Sequence, residues 1–308
     1  MTRSIIVPLD TKLESEVALD VATKLAREQD AAIYLFSVIE APFELAVWLR
    51  AKETIDAWAE RNIEVDAYLT SVAERIVEAN PELRVETLVS TGHPAPEIAG
   101  FAAQQPEPLI VMAAPGRSGL ERFLAGSVPA AVLHQAPCPV ILVRQPREDE
   151  GVAEFVIGDF DRMLVALDGS EFAEQALAAA QVVFGGSGLT LHLVRIVETS
   201  KWFGATYYEM DYSALSLYLE SELEAARIYL QQHAEKLEAA GHTVTWEARA
   251  GLVADEITEI ARDQNAGLIV MATHGRTGPG RVLIGSVAER VVRQADRPVF
   301  LVNPNPAS

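Results

Sequence analysis

The 308-residue sequence predicts an α/β protein made of two tandem, open, parallel five-stranded sheets flanked by helices. Three observations lead to that fold. The chain repeats itself, each repeat holds five short runs rich in Ile, Val and Leu, and stretches of helical period separate those runs.

The repeat is read directly. Residues 109–144, LIVMAAPGRSGLERFLAGSVPAAVLHQAPCPVILVR, align without a gap to residues 268–303, LIVMATHGRTGPGRVLIGSVAERVVRQADRPVFLVN, with 20 of 36 positions identical. The starts of the halves correspond as well: SIIVPLDTKLESEVALDVATKLA from residue 4 answers RMLVALDGSEFAEQALAAAQVVF from residue 162. The offset is 158 residues at Asp10/Asp168 and 159 at Gly116/Gly275, a net difference of one residue.

In the first half the apolar runs predict strands at 4–9, 32–39, 84–89, 108–113 and 139–143. In the second they predict strands at 162–167, 189–197, 243–248, 267–272 and 298–302. The runs are mostly continuous rather than alternating, as strands buried on both faces of a parallel sheet require. Helices are predicted at 14–28, 60–79, 95–104 and 126–135, matched by 171–184, 214–240, 254–264 and 285–294. Leu215, Leu219, Leu223, Ala226, Leu230 and Leu237 mark an apolar stripe on the longest of them. Strands separated by such helices imply right-handed βαβ crossovers.

The domains are read as 1–145 and 162–308, with a linker at 146–161, PREDEGVAEFVIGDFD. Its front is charged, whereas Phe155 to Phe160 carry enough apolar area to pack on a domain. The aromatic stretch 200–214, SKWFGATYYEMDYSA, fits either a lid or a packing patch.

Composition narrows the function. With 44 acidic and 25 basic residues, the net charge of -19 opposes a nucleic-acid partner. The single cysteine, Cys138, excludes an intrachain disulfide and reads as a small buried hydrophobe. No apolar stretch predicts a signal peptide or a membrane helix, so the expectation is a cytoplasmic protein without a membrane partner. The six histidines show no metal-ligand spacing, and no catalytic constellation is read.

The candidate ligand residues lie where the predicted strands end. Asp10 and Asp168 follow the first strands, the edge at which open α/β sheets bind ligands. Either can accept hydrogen bonds from a ribose or base, or merely cap the next helix. After each fourth strand comes a glycine-rich loop: Gly116, Arg117, Gly126 and Ser127 in the first half, and His274, Gly275, Arg276, Gly285 and Ser286 in the second. Backbone N–H groups and a serine hydroxyl at a helix start suit phosphate oxygens. A tight turn with a helix cap explains the same residues. The loop is neither a dinucleotide fingerprint nor a P-loop signature.

Taken together, VPLD and VALDGS, VMAAPGRSG and VMATHGRTG, the helix-opening GSV, and PCPVILV and RPVFLV resemble the universal stress protein family in its tandem form. The pattern G-x2-G-x9-G-[ST] of that family's ATP-binding members is matched from Gly116 to Ser127 and from Gly275 to Ser286, with Ala113 and Ala272 replacing the first glycine. The resemblance implies an adenine nucleotide alpha hydrolase-like, Rossmann-like three-layer sandwich. It also implies ATP or a related adenine nucleotide, with Mg²⁺ as a possible companion, at one site per domain. Asp10 and Asp168 would face the ribose or adenine, Val38 and Ile196 would line the base pocket, and the Gly-Ser pairs would hold phosphates. His274 would stand beside the nucleotide. Pro115, in place of His274, removes a backbone donor from the first loop and favours the second site. A bulky residue at Gly285 is expected to abolish that site and leave the fold intact.

The function expected is a stress-related, nucleotide-binding regulatory protein acting through ligand-biased conformation or assembly. A slow ATPase or phosphotransferase and a ligand-free interaction protein are the alternatives. The resemblance also implies intramolecular pairing of the domains, with a homodimer possible.

Overall fold

The protein is described by a computed structural model covering residues 3–40, 52–114, 127–144, 157–185, 187–199, 212–274 and 284–303. The chain divides into two compact units, one over residues 1–147 and the other over 148–305.

In the first unit β1 (Ser4–Pro8) leads through a short 3₁₀ turn (Leu13–Glu16) into α1 (Val17–Gln29), β2 (Ala32–Ile39) and α2 (Lys52–Ala79). Then follow β3 (Arg84–Thr91), α3 (Pro94–Ala102), β4 (Pro108–Ala114), α4 (Val128–Gln135) and β5 (Val140–Arg144). The hydrogen-bonded order is β3-β2-β1-β4-β5, with every pair parallel. The second unit repeats the plan: β6 (Arg162–Ala166), α5 (Glu171–Phe184), β7 (Thr190–Glu198), α6 (Tyr212–Ala239) and β8 (Thr243–Gly251), then α7 (Val253–Asp263), β9 (Leu268–Ala272), α8 (Ser286–Gln294) and β10 (Val299–Val302). Its order is β8-β7-β6-β9-β10, again parallel.

Right-handed crossovers explain the layers. In the first unit the connections through α1 and α2 step one way along the sheet, and those through α3 and α4 step the other. The two pairs therefore cover opposite faces. Ile5, Ile6, Val7, Leu109, Ile110 and Val111 are completely buried between them. Phe101 on α3 meets Tyr34 and Phe36 on β2, with ring centroids 5.5 and 4.9 Å apart.

The predicted elements differ from the observed ones at their margins. α2 begins at Lys52, eight residues before the predicted start at 60, and the turn at Leu13–Glu16 is 3₁₀ rather than α. β3 alternates between exposed and half-buried residues because it stands at the end of its unit's hydrogen-bonding order. Of the stripe on α6, Ala226, Leu230 and Leu237 are buried, joined by Ala234, whereas Leu219 and Leu223 are half-buried and Leu215 lies outside the described side chains. The back of the predicted linker packs on the second unit, where Phe160 is buried against Phe184 with centroids 6.2 Å apart. Residues 200–211 of the aromatic stretch lie outside the described residues.

Candidate functional site at the carboxyl ends of the strands

The strand order reverses between β1 and β4, and again between β6 and β9. An open α/β sheet leaves a crevice at such a switch point, outside the carboxyl ends of the strands. The Leu9 N–H donates to the Phe36 carbonyl at 2.9 Å, and the Leu167 N–H to the Val194 carbonyl at 2.8 Å. Each bond extends the ladder one residue beyond its strand, so Asp10 and Asp168 are the first residues to leave the sheet. Val38 and Ile196, both half-buried, stand at the same edge on β2 and β7.

The two aspartates shape their loops differently. Asp168 Oδ1 accepts from the Ser170 N–H at 3.0 Å and from its hydroxyl at 2.6 Å. Ser170 Oγ in turn accepts from the Ala173 N–H at 3.3 Å and caps α5. Gly169 between them takes φ 84°, the left-handed region that suits glycine. In the first unit Thr11 occupies that position at φ 67°, and Asp10 Oδ1 accepts from the Lys12 N–H at 3.2 Å without a side-chain cap following. The Arg61 guanidinium donates to Thr11 Oγ1 at 3.0 Å.

The far side of the crevice in the second unit is set by backbone bonds. The Thr273 N–H donates to the Val302 carbonyl at 2.9 Å, and the Thr273 carbonyl accepts from the Gly285 N–H at 2.8 Å. That second bond brings the start of α8 to the carboxyl end of β9. A Cβ on Gly285 would lie 2.8 Å from the Thr273 oxygen, so close backbone approach requires the glycine. The expectation that a bulky residue there leaves the fold intact is thereby corrected. Ser286 is the exposed first residue of α8, and its backbone N–H belongs to the helix's N-terminal donors. His274 Nδ1 lies 3.1 Å from Thr273 Oγ1. In the first unit Ser127 is the N-cap of α4 and accepts from the Ala130 N–H at 3.4 Å. Gly116, Arg117, Gly126, Gly275 and Arg276 lie outside the described residues.

Residues 1–144 and 159–303 each match the universal stress protein family. The chain belongs to that family. A universal stress protein of Mycobacterium tuberculosis is 26% identical over 314 residues, covering 96% of each chain. One from Methanocaldococcus jannaschii is 32% identical over 148 residues, 48% of this chain and 85% of that one. The crystal structure of a universal stress protein from Archaeoglobus fulgidus superposes with a TM-score of 0.66 at 24% identity, covering 97% and 96% of the two chains, and shows the shared fold. A universal stress protein solved in complex with cAMP matches 47% of the chain with a TM-score of 0.35, too loose a likeness to argue from.

In this universal stress protein no helix of the described residues is long and apolar enough to cross a membrane. Nor do three or more His, Cys, Asp or Glu side chains among the described residues converge as a metal site. A magnesium ion arriving with a nucleotide would be held mainly by the phosphates, the usual arrangement for that cation.

The sequence reading passes over Arg195. Its guanidinium lies 5.1 Å from the centroid of the Tyr229 ring, and a Cβ on Gly169 would sit 3.2 Å from Arg195 Nη1. Ser37 is its counterpart in the first unit. The available signal was a charged residue in the otherwise apolar run LHLVRIV, answered by serine in the other repeat.

Proposed function

We propose that the protein is a regulatory adenine-nucleotide-binding protein of the stress-related kind, with one site in each unit and ATP as the leading ligand. This reading takes each unit as its own Rossmann-like three-layer domain. The observation that carries it is the pairing in the second unit of Asp168, at the end of β6, with the start of α8, held at the end of β9 by the Thr273–Gly285 bond. A carboxylate suited to ribose hydroxyls and a helix N-terminus suited to phosphates thus flank one crevice. Val38 and Ile196 offer half-buried apolar surface for a base. Nucleotide binding regulates by favouring one conformation or assembly over another, which requires unequal affinity for the two.

The test is to denature the purified protein, identify any released nucleotide and count it per chain, then titrate stripped protein with ATP by calorimetry. Two equivalents support two sites, and one supports a single occupied unit. No released nucleotide and no heat at millimolar ATP overturn the reading. Product analysis after incubation with Mg²⁺ addresses catalysis, and unchanged ATP is the expected result.

A further inference from the structure

Arg195 is a half-buried cation whose guanidinium has no hydrogen-bond or ion-pair partner among the described residues. None of its nitrogens is sealed from water, so its donors are open to a ligand. The guanidinium lies 5.1 Å from the centroid of the Tyr229 ring, and Tyr229 is itself anchored by its bond to Glu174 at 3.0 Å. The missing side chain of Gly169 leaves room for the guanidinium beside the loop that carries Asp168. Among the described residues the first unit shows no equivalent: Ser37 is buried at the matching position, and Arg61, near the corresponding loop, already donates to Thr11 and Glu64.

The topology says which part of a ligand Arg195 meets. β7 and β9 lie on opposite sides of β6. A nucleotide whose ribose meets Asp168 and whose 5′-phosphates meet the start of α8 therefore extends from β6 towards β9. Arg195 is on β7, next in sequence to the base-lining Ile196, but its guanidinium reaches Gly169, the residue after Asp168, and so lies beside the carboxylate that meets the ribose. It is placed for a substituent on the ribose itself.

We propose that the second unit's site selects an adenine nucleotide carrying a phosphate on its ribose 2′ or 3′ oxygen, with Arg195 as the residue that binds that phosphate. This rests on the adenine-nucleotide reading above. A guanidinium with two parallel N–H donors matches phosphate oxygens, and the interaction strengthens as the ligand excludes water.

The test titrates the full-length protein with 5′-AMP, adenosine 2′,5′-bisphosphate and adenosine 3′,5′-bisphosphate. One bisphosphate should bind a single site per chain about tenfold more tightly than 5′-AMP, the scale of one charged hydrogen-bonded contact. Which bisphosphate wins assigns the oxygen. Arg195→Gln should abolish the advantage while leaving 5′-AMP binding in place, and Arg195→Lys should retain part of it. If Arg195→Gln does not fold, the wild-type ratio and its reduction in Arg195→Lys decide. Equal affinities in the wild type, or an advantage that survives Arg195→Gln, overturn this inference alone. No binding of any of the three compounds, nor of ATP, overturns the adenine-nucleotide reading as well.

Discussion

Tyr229 on α6 donates its hydroxyl to Glu174 on α5 at 3.0 Å, and Tyr68 on α2 makes the same bond to Glu16, beside α1, at 2.9 Å. Each bond ties the long helix of a unit to the segment that follows its first strand. The glutamates take a second partner one or two turns further along: the Arg75 guanidinium at 2.6 Å in the first unit and the His233 imidazole at 3.3 Å in the second.

Burial, and then the bond to a carboxylate, push both phenols well above the ordinary value. The folded state thus holds these protons more tightly than the unfolded state does. That contribution is complete below about pH 10, the ordinary phenol value, and is lost as pH rises through the raised folded value. Urea unfolding should show stability falling above about pH 10, less steeply in the Tyr68→Phe/Tyr229→Phe variant. Each single change should cost about 1 kcal/mol at neutral pH. An unchanged alkaline slope in the double variant would count against the assignment.

Glu247 links β7 and β8 of the second unit. It accepts from Arg249 at 2.7 Å and stands 3.0 Å from His192, whose other ring nitrogen is 2.7 Å from Thr245 Oγ1. Burial raises the carboxyl, but the bonds from Arg249 and His192 outweigh it and hold Glu247 below its ordinary value. Its stabilisation is present above the unfolded carboxylate value and disappears as pH falls through the lowered one. Glu247→Gln should cost about 1 kcal/mol at neutral pH and flatten the acid limb of a stability profile measured by denaturant unfolding. An acid limb as steep as the wild type's would contradict this.

Gly285 and Ser286 separate fold from ligand. Gly285→Ala should destabilise the protein by about 1–3 kcal/mol, because its Cβ meets the Thr273 carbonyl. Ser286→Ala should leave the melting temperature within a degree or two of wild type and weaken nucleotide binding, since no side-chain cap is lost. Ser127→Ala in the first unit should instead cost about 1 kcal/mol through its N-cap. Calorimetric scans of the three variants read these differences directly.

Gly169→Ala should cost about 1 kcal/mol or more, because φ 84° strains alanine and the new methyl presses on Arg195. Thr11→Asn should be tolerated in thermal unfolding, since asparagine accepts the left-handed region more readily than a β-branched residue.

Cys138 is half-buried, and the partial loss of water around its thiol pushes it up to about 12. Native protein at pH 8 should therefore react with a disulfide reagent far more slowly than protein unfolded in urea, with one thiol released per chain on unfolding. Equal rates would show that the thiol is accessible.

Much of the fold was legible in the sequence because burial imposes a local period. The run LIVMA at 268–272 is apolar throughout and is buried throughout in β9. Asp168 was placed correctly at the end of β6 because the apolar run stops there. The early start of α2 was not legible, since KETIDAWA carries no cap or break to mark it. Nor was the reason for Gly285, whose φ of -66° any residue can adopt and whose constraint is a distant carbonyl.

By itself, the sequence determined the duplication, the order of strands and helices, and the residues that leave the first strand of each unit. Those properties follow from which short segments must be removed from water. Only the tertiary structure decided that Arg195 reaches Gly169, that Tyr229 reaches Glu174 and that Thr273 holds Gly285. Each of those pairs joins segments 12 to 55 residues apart, where packing rather than local period determines which groups meet.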